Sequence, residues 1–387
     1  MNHVDEIKID QPALSFEKSP ESDEEHRKRL EIEELIAQSE HHNIPLNTLQ
    51  KLALTPYGLV NDNLRRILWP QLAGVDVNTL ERAPTLGELQ NHPEYNQVVL
   101  DVNRSLKRFP PGIPYEQRIA LQDQLTVLIL RVIKKYPNLR YYQGYHDVAV
   151  TFLLVAGEEV AYAIMEQLST THFSECMQET MEATQRRLMF IWPVVNFENP
   201  ELYQFLQRST VGTLFALPWY LTWFGHSLNS YKAVVRLYDY FLASKMYTPI
   251  FVTAAILLHR SSEIFKEDCD MASVHCLLSR LPEDLPFEDL LQTSSMLYDK
   301  YSLTVIEKEV EVLILKEKEQ RIAEEKMLLE RRKKLTRSAS TNRSYSIGHW
   351  LPNLLKSRSL LVTTAVSIVV GVCAYYYKNQ YLAPGIS

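Results

Sequence analysis

The sequence predicts an all-α protein, a multi-helix domain followed by a single-pass C-terminal transmembrane helix. Apolar residues recur at helical spacing along most of the chain, and no stretch sustains the period-two alternation of a strand. Glycine is scarce, 11 in 387 residues, while Leu, Ile and Val are plentiful, which argues against a fold built on tight β-turns. Near the C-terminus one run of eighteen residues, 360–377, has no charged side chain. No fixed-period repeat is present, so a solenoid of helix pairs is not expected.

In chain order, residues 1–44 are polar and acidic and read as largely disordered. Within them a short charged helix fits 21–39, with Leu30, Ile32, Leu35 and Ile36 as its apolar members. Globular patterning begins near Leu46 and defines a helical domain over 45–302. From Glu116 to Tyr136, residues Leu125, Leu128, Ile129, Val132, Ile133 and Tyr136 line one helical face, and Pro137 stops the helix. Asp147 to Val155 reads as the start of a buried helix. Asn199-Pro200 supplies an N-cap and a proline at the first helical position. Further helices are predicted over 200–208, 230–243, 248–265, 271–281 and 287–301.

Residues 303–335 are dense in Glu and Lys, with an apolar stripe from Val305 to Leu329. They read as a long surface helix or a short coiled coil, and the heptad is too brief to select the second. A Ser/Arg-rich linker is expected over 336–359, with Arg337-Ser338 and Arg343-Ser344 either kinase targets or parts of a flexible tether. The apolar run 360–377 approaches the ~20 residues that cross a hydrocarbon core. Tyr375, Tyr376 and Tyr377 suit a headgroup interface, and the basic flank from Arg331 to Arg358 assigns that side to the cytosol. This predicts a tail anchor with a short lumenal tail at 378–387; the other reading is a buried core helix. The modest hydrophobicity of the run suits a thin bilayer such as that of the endoplasmic reticulum.

Composition narrows the function. A net charge of −6 argues against nucleic-acid binding. The acidic N-terminus has no apolar signal-peptide core, and four scattered cysteines fit a reducing compartment. His172, Cys176, Cys269, His275 and Cys276 lack the paired spacing of a zinc site and read as core residues. Neither a P-loop nor a G-x-S-x-G elbow is present in the sequence, so intrinsic nucleotide or ester hydrolysis is not expected.

Two segments stand out. In Val98-Val99-Leu100-Asp101-Val102-Asn103-Arg104, Asp101 and Arg104 share a helical face. They are either an ordinary surface ion pair or an arginine aimed outward by a carboxylate. In Tyr141-Tyr142-Gln143-Gly144-Tyr145-His146-Asp147, three tyrosines and three further polar side chains make a poor core. This segment is either a Tyr-rich helix junction packed on the surface or a functional loop. A Gln amide has no useful pKa, but it donates and accepts at once and so can orient a water.

Arg104 within V-x-x-D-x-x-R, followed by Y-x-Q-G, resembles the paired signature of the TBC-domain Rab GTPase-activating proteins. Gly58-Leu59 with Leu64-Arg65-Arg66-Ile67-Leu68-Trp69 resembles the family's opening block, and Trp223-Phe224 and Arg236 to Leu242 resemble its later ones. Together these cover roughly residues 57–300. Val98 stands for the usual Ile and Tyr238 for the usual Trp, both still apolar. The apolar tail makes the chain resemble the family's endoplasmic-reticulum-anchored member in particular.

The resemblance implies a TBC (Rab-GAP) domain that stimulates GTP hydrolysis on a Rab-family small GTPase in trans, in traffic between endoplasmic reticulum and Golgi. It implies Arg104 as an arginine finger, Gln143 as the residue orienting the attacking water, and Asp101 as the group holding Arg104. Tyr142, Gly144 and Asp147, with Tyr145 and His146, would shape the contact around Gln143, while Arg65 and Trp69 hold the fold. GTP and Mg²⁺ would belong to the partner, so no cofactor of the chain's own is expected. The rival class is a non-catalytic membrane-anchored adaptor that binds a Rab, and it would not need both Arg104 and Gln143.

Overall fold

Ser22 starts α1 (Asp23–Gln38) with a capping box. Its Oγ accepts from the Glu25 amide at 3.2 Å, and the Glu25 carboxylate accepts from the Ser22 amide at 3.0 Å. The computed structural model describes residues 21–39, 43–76, 82–105 and 114–341. The expectations for 1–20, for 342–359, for the 360–377 span and for the 378–387 tail lie outside those residues. The charged helix expected over 21–39 is present as α1, but it is docked rather than loose. Ile32 and Ile36, one turn apart, are buried in the core. Lys28 Nζ donates to the carbonyls of Leu52 and Thr55 at 2.8 and 3.1 Å, satisfying the end of α2 (Leu46–Leu54). Lys232 and the Tyr57 hydroxyl reach Glu25 and Glu24 as well, so apolar burial and polar contacts together attach this otherwise polar segment.

Asn61 caps α3 (Asp62–Ala73), and Gly74, at φ 69°, ends it. Then follow α4 (Leu86–Leu89), α5 (Tyr95–Ser105), α6 (Tyr115–Lys135), α7 (Tyr145–Ala156) and α8 (Glu158–Thr170). The α6 stripe read from Leu125 to Ile133 is buried, and the helix ends just before Pro137. α7 is buried on nearly every side, between α3, α5, α6 and α8. Next come α9 (Glu182–Leu188), α10 (Ile191–Glu198) and α11 (Pro200–Ser209), the last capped by Asn199 Oδ1 on the Leu202 amide at 2.9 Å. A 3-10 turn at Leu214–Ala216 leads into α12 (Leu217–Leu221), and Ser230 caps α13 (Tyr231–Ala243).

The continuous helix expected over 248–265 is broken into α14 (Thr248–His259) and α15 (Ser261–Ile264). The break is at Arg260, which is buried and donates to Glu263 and to the Arg280 carbonyl at 2.9 and 3.1 Å. α16 (Met271–Leu278) and α17 (Phe287–Lys300) follow, α17 packing on α14. α18 (Leu303–Thr341) is the long charged helix, and it continues past the expected end at 335 into the first residues of the linker. Extending an existing helix adds a hydrogen bond per residue without a new nucleation step. Ile306 and Val310 bury its start, while 317–333 are exposed throughout. The described residues thus hold eighteen α-helices and no strand. Among them no helix is long and apolar enough to cross a membrane.

One buried carboxylate ties distant blocks together. Asp239, on α13, is fully buried. It accepts from Arg65 Nε at 3.0 Å and Nη2 at 3.0 Å, from Trp69 Nε1 at 2.8 Å and from the Leu59 amide at 2.9 Å. A Cβ on Gly58 (φ 54°) would lie 2.4 Å from its Oδ2, so the close approach requires glycine. Arg236, one turn earlier, forks onto Glu288 at 2.7 and 2.8 Å and donates to the Ala53 carbonyl at 3.0 Å. A charge this deep persists because every lone pair has a donor.

Candidate functional site

α5 is sided. Val98, Asp101, Val102 and Ser105 form its buried stripe, while Leu100 and Arg104 face outward. Asp101 is a carboxylate where an apolar residue would ordinarily pack. It accepts from Gln97 Nε2 at 3.0 Å and from the Tyr141 hydroxyl at 3.2 Å. Arg104 Nη1 stands 3.6 Å from Asp101 Oδ1, with the carboxylate 1% and the arginine side chain 66% exposed. The pair is therefore not an ordinary surface ion pair. A buried anion holds one edge of the guanidinium while its remaining donors face solvent.

The segment 141–147 enters from the other side. The Arg140 amide donates to the Met177 carbonyl at 2.7 Å and the Tyr141 amide to Glu94 Oε2 at 3.0 Å. Gly144 begins α7 at φ 109°, and a Cβ there would sit 2.9 Å from Thr222 Cγ2, so no other residue fits without strain. Gln143 is exposed, and its neighbours are not. Contrary to the expectation of a poor core, Tyr142, Tyr145, His146 and Asp147 are all buried. Their polar ends have partners: the Tyr142 hydroxyl donates to the Leu221 carbonyl at 2.8 Å, and the Tyr145 hydroxyl lies 2.7 Å from Ser169 Oγ. These residues are buried and do not form an exposed contact around Gln143. Burial pushes the Tyr141, Tyr142 and Tyr145 hydroxyls well up, Tyr141 further raised by the Asp101 charge, so all three stay protonated.

The two segments are stitched together. The Tyr141 hydroxyl donates a hydrogen bond to Asp101 and lies 2.8 Å from His146 Nδ1. His146 Nε2 is 3.5 Å from Asp147 Oδ1. Asp147 Oδ1 accepts from Ser105 Oγ at 2.9 Å, and its Oδ2 accepts from His226 Nδ1 at 2.9 Å. Burial by itself would raise the Asp147 carboxyl. The hydrogen bond from His226, the charges of His146 and His226 and the Ser105 hydroxyl together outweigh it and hold Asp147 below the usual carboxylate range. Arg104 is thus bracketed by Asp101 and Ser105, both joined to the turn that carries Gln143.

Ser105, Glu94 and His226 were not singled out from the sequence. Two of them lay near a signal: Ser105 directly follows Arg104, and His226 stands three residues after Trp223 in the aromatic block. Among the cysteines, Cys176 is buried with its thiol pushed up to about 12 by burial, and His172 is pushed down to about 4 by burial. Cys269 and Cys276 are exposed, not core residues as expected, because the segment around α16 turns them outward. Among the described residues no cluster of His, Cys, Asp and Glu is arranged to hold a metal ion. What the rim offers is one permanently charged fork with free donors and one amide that can donate and accept.

Comparison with known proteins gives the family. A family model for the Rab-GTPase-TBC domain matches residues 62–265. TBC1 domain family member 20 of Bos taurus is 48% identical over 255 residues, covering 65% of this chain and 63% of that protein. The chain thus spans less than two thirds of that relative's length. GTPase-activating protein gyp10 of Schizosaccharomyces pombe is 29% identical over 276 residues, covering 68% of this chain and 74% of that one. The solved Ypt/Rab-GAP domain of Gyp1p superposes with a TM-score of 0.59 at 17% identity, over 72% of this chain and 99% of that one, a likeness of fold. The family match spans more than half of the chain and includes both Arg104 and Gln143; the protein belongs to the Rab-GTPase-TBC domain family.

Proposed function

We propose that the protein is a GTPase-activating protein for a Rab-family small GTPase, and that it inserts Arg104 and Gln143 into the partner's nucleotide site. The observation that carries this reading is the contrast at α5: an arginine side chain 66% exposed on a carboxylate that is almost wholly buried. The relatives named GTPase-activating proteins support the same class.

Phosphoryl transfer spreads negative charge over the γ-phosphate oxygens, so positioning and electrostatics do most of the catalysis. Arg104 is always charged and its free N–H groups lie on the solvent side, ready for phosphate oxygens. An arginine supplied in trans accelerates hydrolysis about 10³–10⁵-fold, or ~4–7 kcal/mol of barrier. Gln143 has no role as a base; its carbonyl accepts from the attacking water while its amide donates to a phosphate oxygen. GTP and Mg²⁺ reside on the partner, and the chain needs no cofactor. The apolar run 360–377 anchors the protein in the endoplasmic-reticulum membrane, with the helical domain in the cytosol acting on early secretory traffic.

The test is single-turnover GTP hydrolysis by a panel of purified Rabs with the full chain in mild detergent, beside Arg104→Ala and Gln143→Ala. Strong stimulation of one Rab that both variants lose supports the reading. A Rab that binds without stimulation replaces it with the adaptor reading.

A further inference from the structure

His226 lies outside both signature segments, in the turn after α12, yet it contacts the network beneath them. We infer that His226 is a positioning residue for the reaction proposed above, holding Arg104 and Gln143 in one geometry through Asp147. The inference rests on that reading of the two rim residues.

Three connections carry it. His226 Nδ1 is 2.9 Å from Asp147 Oδ2, and Asp147 Oδ1 takes the Ser105 hydroxyl at 2.9 Å, fixing the residue next to Arg104. Asp147 also faces His146 at 3.5 Å, which reaches Tyr141 at 2.8 Å, which reaches Asp101 at 3.2 Å, the carboxylate under Arg104. The backbone provides the third: the His226 amide donates to Thr222 Oγ1 at 3.2 Å, and the methyl of that threonine closes on Gly144, the neighbour of Gln143. The imidazole thus acts through Asp147 on both flanks of Arg104, while the His226 backbone secures the base of the Gln143 turn. Its own side chain is 48% exposed, so it is not needed to fill the core. Asp147, by contrast, is buried, and without His226 it keeps only Ser105 and the longer His146 contact. A buried carboxylate short of a donor is expected to draw in water or turn, which releases Ser105 and His146.

The test compares His226→Ala with His226→Asn, whose amide can donate from nearly the position of Nδ1. In multiple-turnover assays with the responsive Rab, His226→Ala lowers kcat about 10-fold with KM within about twofold, as expected for misplaced groups. His226→Asn restores most of the rate. Amide hydrogen exchange on the full chain alone, without any GTPase, gives a second reading: faster exchange over 101–105 and 141–147 in His226→Ala, and near-normal exchange in His226→Asn. Unchanged exchange in His226→Ala overturns the inference, as does a rate loss that Asn fails to restore. If Arg104→Ala keeps full activity, the reading of the rim has failed, whereas His226 still stands or falls on the exchange data.

Discussion

Two arginine–aspartate pairs of this protein, each built on a buried carboxylate, do opposite work in the structure. In both the carboxylate is buried, Asp239 at 0% and Asp101 at 1% side-chain exposure. The arginines differ: Arg65 is 5% exposed and Arg104 is 66% exposed. Arg65 uses its whole fork internally, with Nε and Nη2 on Asp239 and Nη1 on Asp62 at 2.9 Å. Arg104 makes one ion contact at 3.6 Å and keeps the rest of its fork outward. A buried fork with all three nitrogens engaged fixes a fold, because burial closes it to outside partners. A fork held by one edge is preorganised and still able to bind.

The sharpest test of the contrast is Arg104→Ala. It should reduce stimulated hydrolysis about 10³-fold or more and leave the melting temperature within about 2 °C. A large fall in Tm would show that Arg104, too, is structural. Arg65→Ala is expected to do the reverse. Removing one partner of a buried ion pair destabilises by about 3–5 kcal/mol, readable in urea unfolding, while the fraction still folded keeps its turnover. Loss of turnover in well-folded Arg65→Ala would break the comparison.

Gly144→Ala probes the join between the two regions. Its φ of 109° and the 2.9 Å approach to Thr222 predict a loss of about 1–3 kcal/mol, with the Gln143 side of the site disturbed before the Asp239 hub. Differential hydrogen exchange at 141–147 against 59–69 would separate the two. The smallest effect concerns pH. Because the Asp147 carboxyl is held low in the folded state, its stabilisation is present above the unfolded value of about 4 and is lost as pH falls through the folded value. The stability gap between wild type and Asp147→Asn should therefore narrow as pH drops below about 4 in acid titrations followed by circular dichroism. A gap that stays constant would mean that Asp147 acts by shape alone.

Much of the fold was legible. The α6 stripe from Leu125 to Ile133 and the Asn199-Pro200 start of α11 are local signals, set by periodicity and capping chemistry, and each was met within a residue or two. α10 was not singled out, because a helix buried on most sides has no polar face to mark its period. The docking of α1 was missed because its attachment depends on Leu52 and Thr55, which lie more than twenty residues away. Within the site, Arg104 and Gln143 could be named through the family resemblance, since spacing alone left an ordinary ion pair and a surface junction open. The burial of Tyr142, Tyr145 and Asp147 could not, since a polar side chain is tolerated in a core only when its partners are there, and those partners sit on α5, α8, α12 and the turn after α12.

The sequence by itself determined an all-helical domain and the positions of most helices, because these depend on neighbours a few residues apart, and its family resemblance pointed to the pair of rim residues worth testing. Only the tertiary structure decided which arginine is free and which is consumed. It also decided that Asp239 gathers blocks separated by some 170 residues, and that His226 reaches Asp147 across 79 residues of chain. Burial and hydrogen-bond satisfaction are properties of the packed molecule, and no spacing along a chain encodes them directly.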